Sequence, residues 1–235
     1  MAFYTVGRFQ PPTLGHVRMI RAMLEKADGN PAYVFISSAK DSLLLPEVKK
    51  AFLEKMLDPL PENLHLINTA DCKPPCGGPL GGWGYLKDKG IDGSKVTLVV
   101  GSDQEAKFDP KTAPMWSTTA PAERPSIVSI RRGDEGVAAF SSTNARKALA
   151  TAVAADASVV DALRPFLTDG TNAIMDDDVA EMAATLLAVQ ARWPKKKGGA
   201  DPYDSVFDED LDGGRRRRKT YRRAPKRIRG TRRRV

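Results

Sequence analysis

The sequence GRFQPPTLGH at residues 7–16 decides the fold, because it joins two stretches with different hydrophobic periods. The apolar run AFYTVG at residues 2–7 predicts a strand, and residues 15–27 carry apolar side chains at helical spacing. A glycine-containing turn between a strand and a helix directs backbone N–H groups and the helix N-terminus at one place, which suits a phosphate group. This stretch therefore predicts a strand–turn–helix unit with an anion site at the turn.

Strands and helices continue to alternate beyond this unit. Residues 46–57 predict a second helix that opens with a proline, and another helix begins at the hydroxyl residues 141–143. This alternation predicts an α/β fold built on a doubly wound, parallel, five-stranded sheet of Rossmann-like type. The other four strands are predicted at residues 32–37, 64–68, 95–103 and 125–130.

A second turn, the GSD of residues 101–103, follows the most apolar of these strands. Doubly wound sheets bind ligands beyond the carboxyl ends of their strands. We therefore expect the turns at residues 7–16 and 101–103 to face one crevice. No GxGxxG follows the first strand, which disfavours a dinucleotide-binding dehydrogenase.

The segment FSSTNAR at residues 140–146 completes a set of three motifs. GRFQPPTLGH, LVVGSD and FSSTNAR resemble, in this order, the nucleotidylyltransferase superfamily, which has an (H/T)xGH signature and an ISSTxxR-like signature. The residues of these motifs are similar to those of nicotinamide mononucleotide adenylyltransferases and of nucleotidyltransferase-like proteins of phages and large DNA viruses. The resemblance covers roughly residues 1–167, which we take as one domain.

The resemblance implies an enzyme that transfers a nucleotidyl group from a nucleoside triphosphate, an adenylyl group from ATP above all or, alternatively, a cytidylyl group from CTP. The acceptor is a small phosphorylated or hydroxylated molecule that attacks the α-phosphate in line, and pyrophosphate leaves. Mg²⁺ is carried with the nucleotide, and the protein supplies no metal site. Catalysis is assigned to His16 and Thr13. Nucleotide binding is assigned to Gly7, Arg8, Phe9, Gly15, Gly101, Asp103, Ser141, Ser142, Thr143 and Arg146, with Lys40 as a weaker phosphate candidate.

Some residues depart from the family pattern. Ala145 and Gln104 replace, respectively, a larger apolar residue and an arginine that relatives often have. Residues 70–93 are rich in Gly and Pro and lie where the family often uses a helix to read the acceptor. Trp83 and Trp116 either stack on a ring of the acceptor or pack within the protein, and packing is favoured.

The sequence changes character after residue 167. Residues 168–193 contain an amphipathic helix, whose stripe of Val179, Met182, Leu186, Val189 and Trp193 packs on the domain or, alternatively, forms a homo-oligomer contact. Residues 194–214 are rich in Gly and Asp and predict a disordered linker.

The last segment, residues 215–235, holds 13 Lys/Arg and no acidic residue. The remaining 24 basic residues face 29 acidic ones, so residues 1–214 carry a net charge of −5. This disordered basic tail predicts salt-dependent contact with nucleic acid, and a localisation signal is the alternative. The tail also supports a second hypothesis, a nucleic-acid-associated or virion structural protein with a vestigial nucleotide-binding fold.

Several classes of protein are disfavoured. No apolar run is long enough to span a membrane, and the first residues do not read as a secretory signal. We therefore expect an intracellular protein: cytoplasmic, nuclear or virion-associated. Cys72 and Cys76 have no further Cys/His pair nearby, so two reduced thiols are favoured over a zinc site.

Overall fold

The computed structural model describes residues 1–38, 44–73, 76–130, 140–170, 172 and 174–190, without the side chains of Asp103 and Gln190. Four sequence-based predictions therefore lie outside the described residues: Lys40, Trp193, the linker and the basic tail.

Five parallel strands form one sheet in the order β3-β2-β1-β4-β5. The strands are β1 (Ala2–Gly7), β2 (Ala32–Ile36), β3 (Leu64–Asn68), β4 (Val96–Gly101) and β5 (Ser126–Ile130). In register, Tyr4 of β1 pairs with Tyr33 on one side and with Leu98 on the other. The chain thus winds outward in both directions from the β1/β4 pair, which confirms the predicted doubly wound sheet.

Seven α-helices connect or follow these strands within the described residues. They are α1 (Leu14–Ala27), α2 (Pro46–Leu57), α3 (Gly78–Asp88), the short α4 (Glu105–Phe108), α5 (Ser142–Ala154), α6 (Val159–Leu167) and α7 (Asp176–Gln190). The sequence predicted α1, α2, α5 and α7. It gave no prediction of α3 or α6.

Two hydrophobic clusters cover opposite faces of the sheet, because successive strand residues point to opposite sides. The first cluster joins Val34, Ile36 and Val99 to α1, α2, α5, α6 and α7. The second joins Phe35 and Val100 to α3 and to the segment that follows β4. This two-sided burial explains the nearly continuous apolar runs of β2 and β4.

Helix α3 forms despite a composition that is poor for helices. Its glycines allow close packing instead: a Cβ at Gly82 would lie 3.0 Å from the Phe35 ring, and one at Gly81 would lie 2.7 Å from the Cys76 backbone. Tyr4 donates a hydrogen bond of 2.9 Å to the carbonyl of Pro79 and ties the helix start to the sheet. Tertiary packing thus overrides the low helix propensity of glycine.

Cys72 and Cys76 form a disulfide immediately before α3, so the expectation of two reduced thiols was wrong. Their two Cα atoms lie 5.5 Å apart, within the range that a disulfide spans. Both side chains are buried in the second cluster.

Two tryptophans also belong to this cluster, as the packing interpretation expects. Trp83 and Trp116 are both buried, and their rings meet edge to face with centroids 5.8 Å apart. They are absent from the lining of the cleft described below. Neither ring is placed to stack on an acceptor.

Helix α7 packs on the first cluster, which agrees with the packing interpretation of its apolar stripe. Val179, Met182 and Leu186 are buried, and Val189 packs against them. Lys55 of α2 pairs with Asp178 at 2.5 Å and with Glu181 at 3.1 Å. In the described part of the chain, none of the helices has the length and apolarity needed to cross a membrane.

Candidate functional site

A cleft of about 700 Å³ lies at the carboxyl ends of β1 and β4. This is where the winding of the sheet reverses, the usual ligand position in such folds. Residues from all three sequence motifs line this cleft. Those on its wall are Gly7, Arg8, Phe9, Thr13, Gly15, His16, Gly101, Ser141, Ser142, Thr143 and Arg146. The backbone of Asp103 lies in the turn after β4, and its side chain is outside the described residues.

The turn after β1 is built around Phe9, which is fully buried at φ 48°. Its ring lies against Gly7, where a Cβ would come within 2.6 Å of the ring, and against His16, at 4.8 Å between centroids. Glycine at position 7 is therefore a steric requirement of the turn. Phe9 supports the wall of the cleft from behind and holds the His16 ring in place.

His16 is held by the residue that caps its own helix. Thr13 is the N-cap of α1, and its backbone N–H donates to His16 Nδ1 at 3.1 Å. The Thr13 hydroxyl lies 2.9 Å from the same nitrogen. Because Nδ1 accepts a hydrogen bond, we assign the ring proton of neutral His16 to Nε2. Nε2 then carries the ring N–H, on the side of the ring away from Thr13.

The starts of α1 and α5 are joined directly. A Cβ at Gly15 would lie 3.0 Å from the carbonyl oxygen of Phe140, so glycine permits the close approach of the two segments. Ser142 Oγ donates to the Pro11 carbonyl at 2.8 Å. Arg146, only 4% exposed, donates to the Gln10 carbonyl. The two most distant motifs thus form one structural unit.

Three hydroxyl residues at the start of α5 face the cleft with defined partners. Ser141 Oγ caps the helix by accepting from Asn144 N at 3.1 Å, and Thr143 Oγ1 accepts from Arg146 at 3.2 Å. Helix geometry leaves the N–H groups of the first turn without an intrahelical acceptor. Those N–H groups and the positive end of the helix dipole make this helix start suitable for binding phosphate.

A buried lysine adds positive charge beside the cleft. Lys49 of α2 is fully buried and donates from Nζ to the carbonyl of Ser37, a cleft residue, at 2.8 Å. Burial lowers the pKa of Lys49 to about 8; nearby Arg8 acts in the same direction and Glu47 opposes it. The sequence analysis missed Lys49, although it shares one helix face with Phe52 and Met56, which is a detectable signal.

A second missed element is the start of α3. Gly77, Gly78, Pro79 and Leu80 line the cleft opposite the hydroxyl residues, together with Phe108 and Met115 from the segment after β4. No catalytic motif marks these positions, and the glycines argue against a helix. Only the three-dimensional packing of α3 reveals them as cleft residues.

Comparison with known proteins found a family model that matches more than half of the chain. The model is described as cytidylyltransferase-like and matches residues 4–148, which include most of β1, the residues that line the cleft and the first part of α5. No curated protein matches the chain.

Proposed function

Because the chain belongs to the cytidylyltransferase-like family, we propose that it transfers a nucleotidyl group from a nucleoside triphosphate to a small acceptor. The family match supports a nucleotidyltransferase-type function. ATP is the donor that the sequence motifs favour, and the family description makes CTP the second donor to test. The observation that carries the proposal is the union of the starts of α1 and α5 around one cleft.

In the proposed reaction, an oxygen of the acceptor attacks the α-phosphorus in line. A new P–O bond forms while the bond from the α-phosphorus to the bridging oxygen breaks, and pyrophosphate leaves with that electron pair. A phosphate acceptor loses no proton, whereas a hydroxyl acceptor releases its proton to the departing pyrophosphate. Catalysis of this kind depends on positioning and on fixed donors rather than on a protein nucleophile.

His16 is the donor we assign to the α-phosphate. Its Nε2–H donates to the non-bridging oxygen on which charge grows as the new bond forms. Thr13 is a positioning residue in this proposal, because its contacts with Nδ1 select the Nε2 tautomer and fix the ring. The sequence analysis assigned Thr13 to catalysis. In this proposal Thr13 acts indirectly, by orienting the His16 ring.

The start of α5 is the site we assign to the β- and γ-phosphates. Ser141 and Thr143 contribute hydroxyl groups, because their oxygens accept hydrogen bonds and their protons can be donated to phosphate. Ser142 contributes a first-turn N–H group, since its hydroxyl donates to the Pro11 carbonyl. Arg146 is a positioning residue that holds this helix start against the β1–α1 turn, since its described contacts are with Gln10 and Thr143.

Mg²⁺ fits the site as a companion of the phosphates. Among the described residues no group of three or more His, Cys, Asp and Glu is placed to hold a metal ion. Mg²⁺ commonly binds through nucleotide phosphates and keeps several waters. When bound, it would supply positive charge to the phosphates of the leaving group. The hydroxyl groups of Ser141 and Thr143 would hold those same phosphates.

The experiment that tests the proposal is a Mg²⁺-dependent pyrophosphate-release assay with ATP and CTP. The acceptors are a panel of small phosphates and alcohols that includes nicotinamide mononucleotide. Transfer of an α-labelled phosphate to the acceptor identifies the product. The proposal fails if no combination releases pyrophosphate and neither nucleotide raises the melting temperature.

The basic tail supports a second candidate function, binding of nucleic acid. Thirteen positive charges in residues 215–235 can release counterions from a nucleic acid without reading its sequence. Replacement of the tail arginines and lysines by glutamine in the full chain tests this role. We expect loss of DNA and RNA binding with unchanged nucleotide binding, and unchanged affinity for DNA and RNA contradicts the role.

A further inference from the structure

The cleft has two chemically different ends. The β1–α1 turn and the start of α5 form a polar end, whose helices pack on the first hydrophobic cluster. The other end is formed by residues of the second cluster, on the opposite face of the sheet, and by the start of α3. Apart from Gln104, its lining side chains are apolar: Val6, Pro79, Leu80, Val100, Phe108 and Met115.

Ionisable side chains are confined to the polar end, as far as the chain is described. The described cleft residues that carry charge or titrate are Arg8, His16 and Arg146, which come from the β1–α1 turn and α5. The other end is lined by residues from segments 77–80 and 99–116. None of their described side chains that line the cleft is ionisable, and one of them, Gln104, is polar.

The start of α3 brings no polar or charged side chain to the cleft, so the only donors it can offer are backbone N–H groups. Pro79 has no N–H, and Gly77 and Gly78 have no side chain that could donate a hydrogen bond. Leu80 in the first turn is 38% exposed, which leaves a large apolar side chain facing the cleft. A charged group placed here would lose hydration without a paired side chain, whereas an apolar group would cover apolar surface.

We propose that the acceptor carries an uncharged apolar ring or chain that packs against Pro79, Leu80, Phe108 and Met115, the apolar wall. Its attacking phosphate or hydroxyl then points toward His16, in the polar end of the cleft. This inference rests on the proposed function and adds the chemical class of the acceptor. Leu80 is its specificity-determining residue, since it is the exposed member of the wall on a helix that packing fixes.

Paired probes with the same reacting group test the inference by calorimetric titration. Phenyl phosphate is compared with glycerol 1-phosphate, and benzyl alcohol with glycerol, in the presence of Mg²⁺ and a non-hydrolysable analogue of ATP or CTP. In at least one pair we expect the aromatic probe to bind about tenfold more tightly, the effect of a well-filled apolar pocket. The aromatic probe also gives the more negative heat-capacity change.

Two leucine variants localise the effect. Leu80→Gln is expected to weaken binding of the aromatic probe about tenfold and to leave the polar probe unchanged. Leu60→Gln is the matched control, because Leu60 is 41% exposed and lies outside the cleft lining. It is expected to change neither affinity, and thermal melts of both variants confirm that the fold is retained.

The outcomes separate this inference from the proposed function. If the nucleotide analogue binds but neither aromatic probe is preferred, the inference alone is contradicted. A preference that Leu80→Gln leaves intact also contradicts it, because the apolar wall is then not the binding surface. If the nucleotide analogue does not bind, the proposed function and the inference fall together.

Discussion

The starts of α5 and α3 border the same cleft and have opposite chemistry. Helix α5 begins with three hydroxyl residues, and Arg146 and Ser142 tie it to the β1–α1 turn. Helix α3 begins with two glycines, a proline and an exposed leucine, and it follows a disulfide. The first arrangement supplies hydrogen-bond donors for phosphate, and the second supplies apolar surface.

Two helix starts at one cleft can therefore present different side chains to a ligand. Side chains and available N–H groups decide what a helix start can bind. In this protein both starts border the cleft, and His16 lies on the side of α1 and α5. The comparison can be tested by changing groups on either side and measuring activity, stability and their pH dependence.

The largest effect is expected for His16→Ala, which removes the proposed donor to the α-phosphate. We expect turnover in the pyrophosphate-release assay to fall by about 100-fold or more, as when one transition-state donor is lost. His65→Ala is the control, because His65 is exposed on β3 and stacks on Tyr33 away from the cleft. Equal turnover of the two variants would contradict the role of His16.

Arg146→Met tests whether a buried cation joins the two motifs. It leaves the Gln10 carbonyl without this donor, so we expect the free energy of unfolding to fall by about 2–3 kcal/mol. Arg164→Met provides the comparison, since the Arg164 side chain is largely in solvent and pairs with Asp176, so its loss should cost much less. Urea denaturation measures both, and similar losses would refute the linking role.

Gly7→Ala tests the tight packing of the β1–α1 turn. A Cβ at position 7 meets the buried Phe9 ring at 2.6 Å, and overpacking of this kind costs about 1–3 kcal/mol. At Gly77, which borders the apolar side, a Cβ meets nothing within 4 Å. Gly77→Ala should therefore leave stability unchanged or raise it slightly. Thermal unfolding of the pair decides the point, and an undamaged Gly7→Ala protein would show that the turn is loosely packed.

Lys49 gives the smallest effect and a defined pH dependence. Its pKa of about 8 lies below the ordinary lysine value of 10.5, so the unfolded chain binds more protons between these pH values. Keeping Lys49 charged in the folded protein lowers the free energy of unfolding. This loss is recovered as the pH rises from about 8 towards 10.5, where the folded protein has released the proton and the unfolded chain still binds it. Relative to Lys49→Met, the wild-type protein should gain about 1–2 kcal/mol between pH 7.5 and 9.5.

Lys50→Met is the control at the next position of α2, where the lysine side chain is 42% exposed and pairs with Glu54. Urea denaturation at the two pH values compares wild type with each variant. The wild-type gain in stability between the two pH values should be seen against Lys49→Met and be absent against Lys50→Met. A gain of the same size against both variants would show that burial of Lys49 does not cause the pH dependence.

The polar side of the cleft was predictable from sequence because its signals are local. The β1–α1 turn combines a change of hydrophobic period with glycine and histidine, and Ser141 precedes a helical pattern as an N-cap. The motif order then placed these distant segments at one site. The hydrogen bonds that join them, such as Ser142 to Pro11, required the structure.

The apolar side was not predictable, because tertiary packing creates it. Gly81 and Gly82 reduce helix propensity, yet they allow α3 to approach the Cys76 backbone and the Phe35 ring. The Cys72–Cys76 disulfide likewise depends on the close approach of the two Cα atoms, which the spacing of the cysteines in the sequence does not predict. Sequence patterns therefore identified the proposed phosphate site and left the apolar wall unassigned.

The most direct test of the account is nucleotide binding followed by turnover in wild type and His16→Ala. We predict that Mg²⁺ with ATP or CTP raises the melting temperature of both proteins, because the start of α5 is intact in each. Only the wild type should then release pyrophosphate rapidly with an acceptor. If neither nucleotide stabilises the wild-type protein, the cleft does not bind nucleotide and the central claim is wrong.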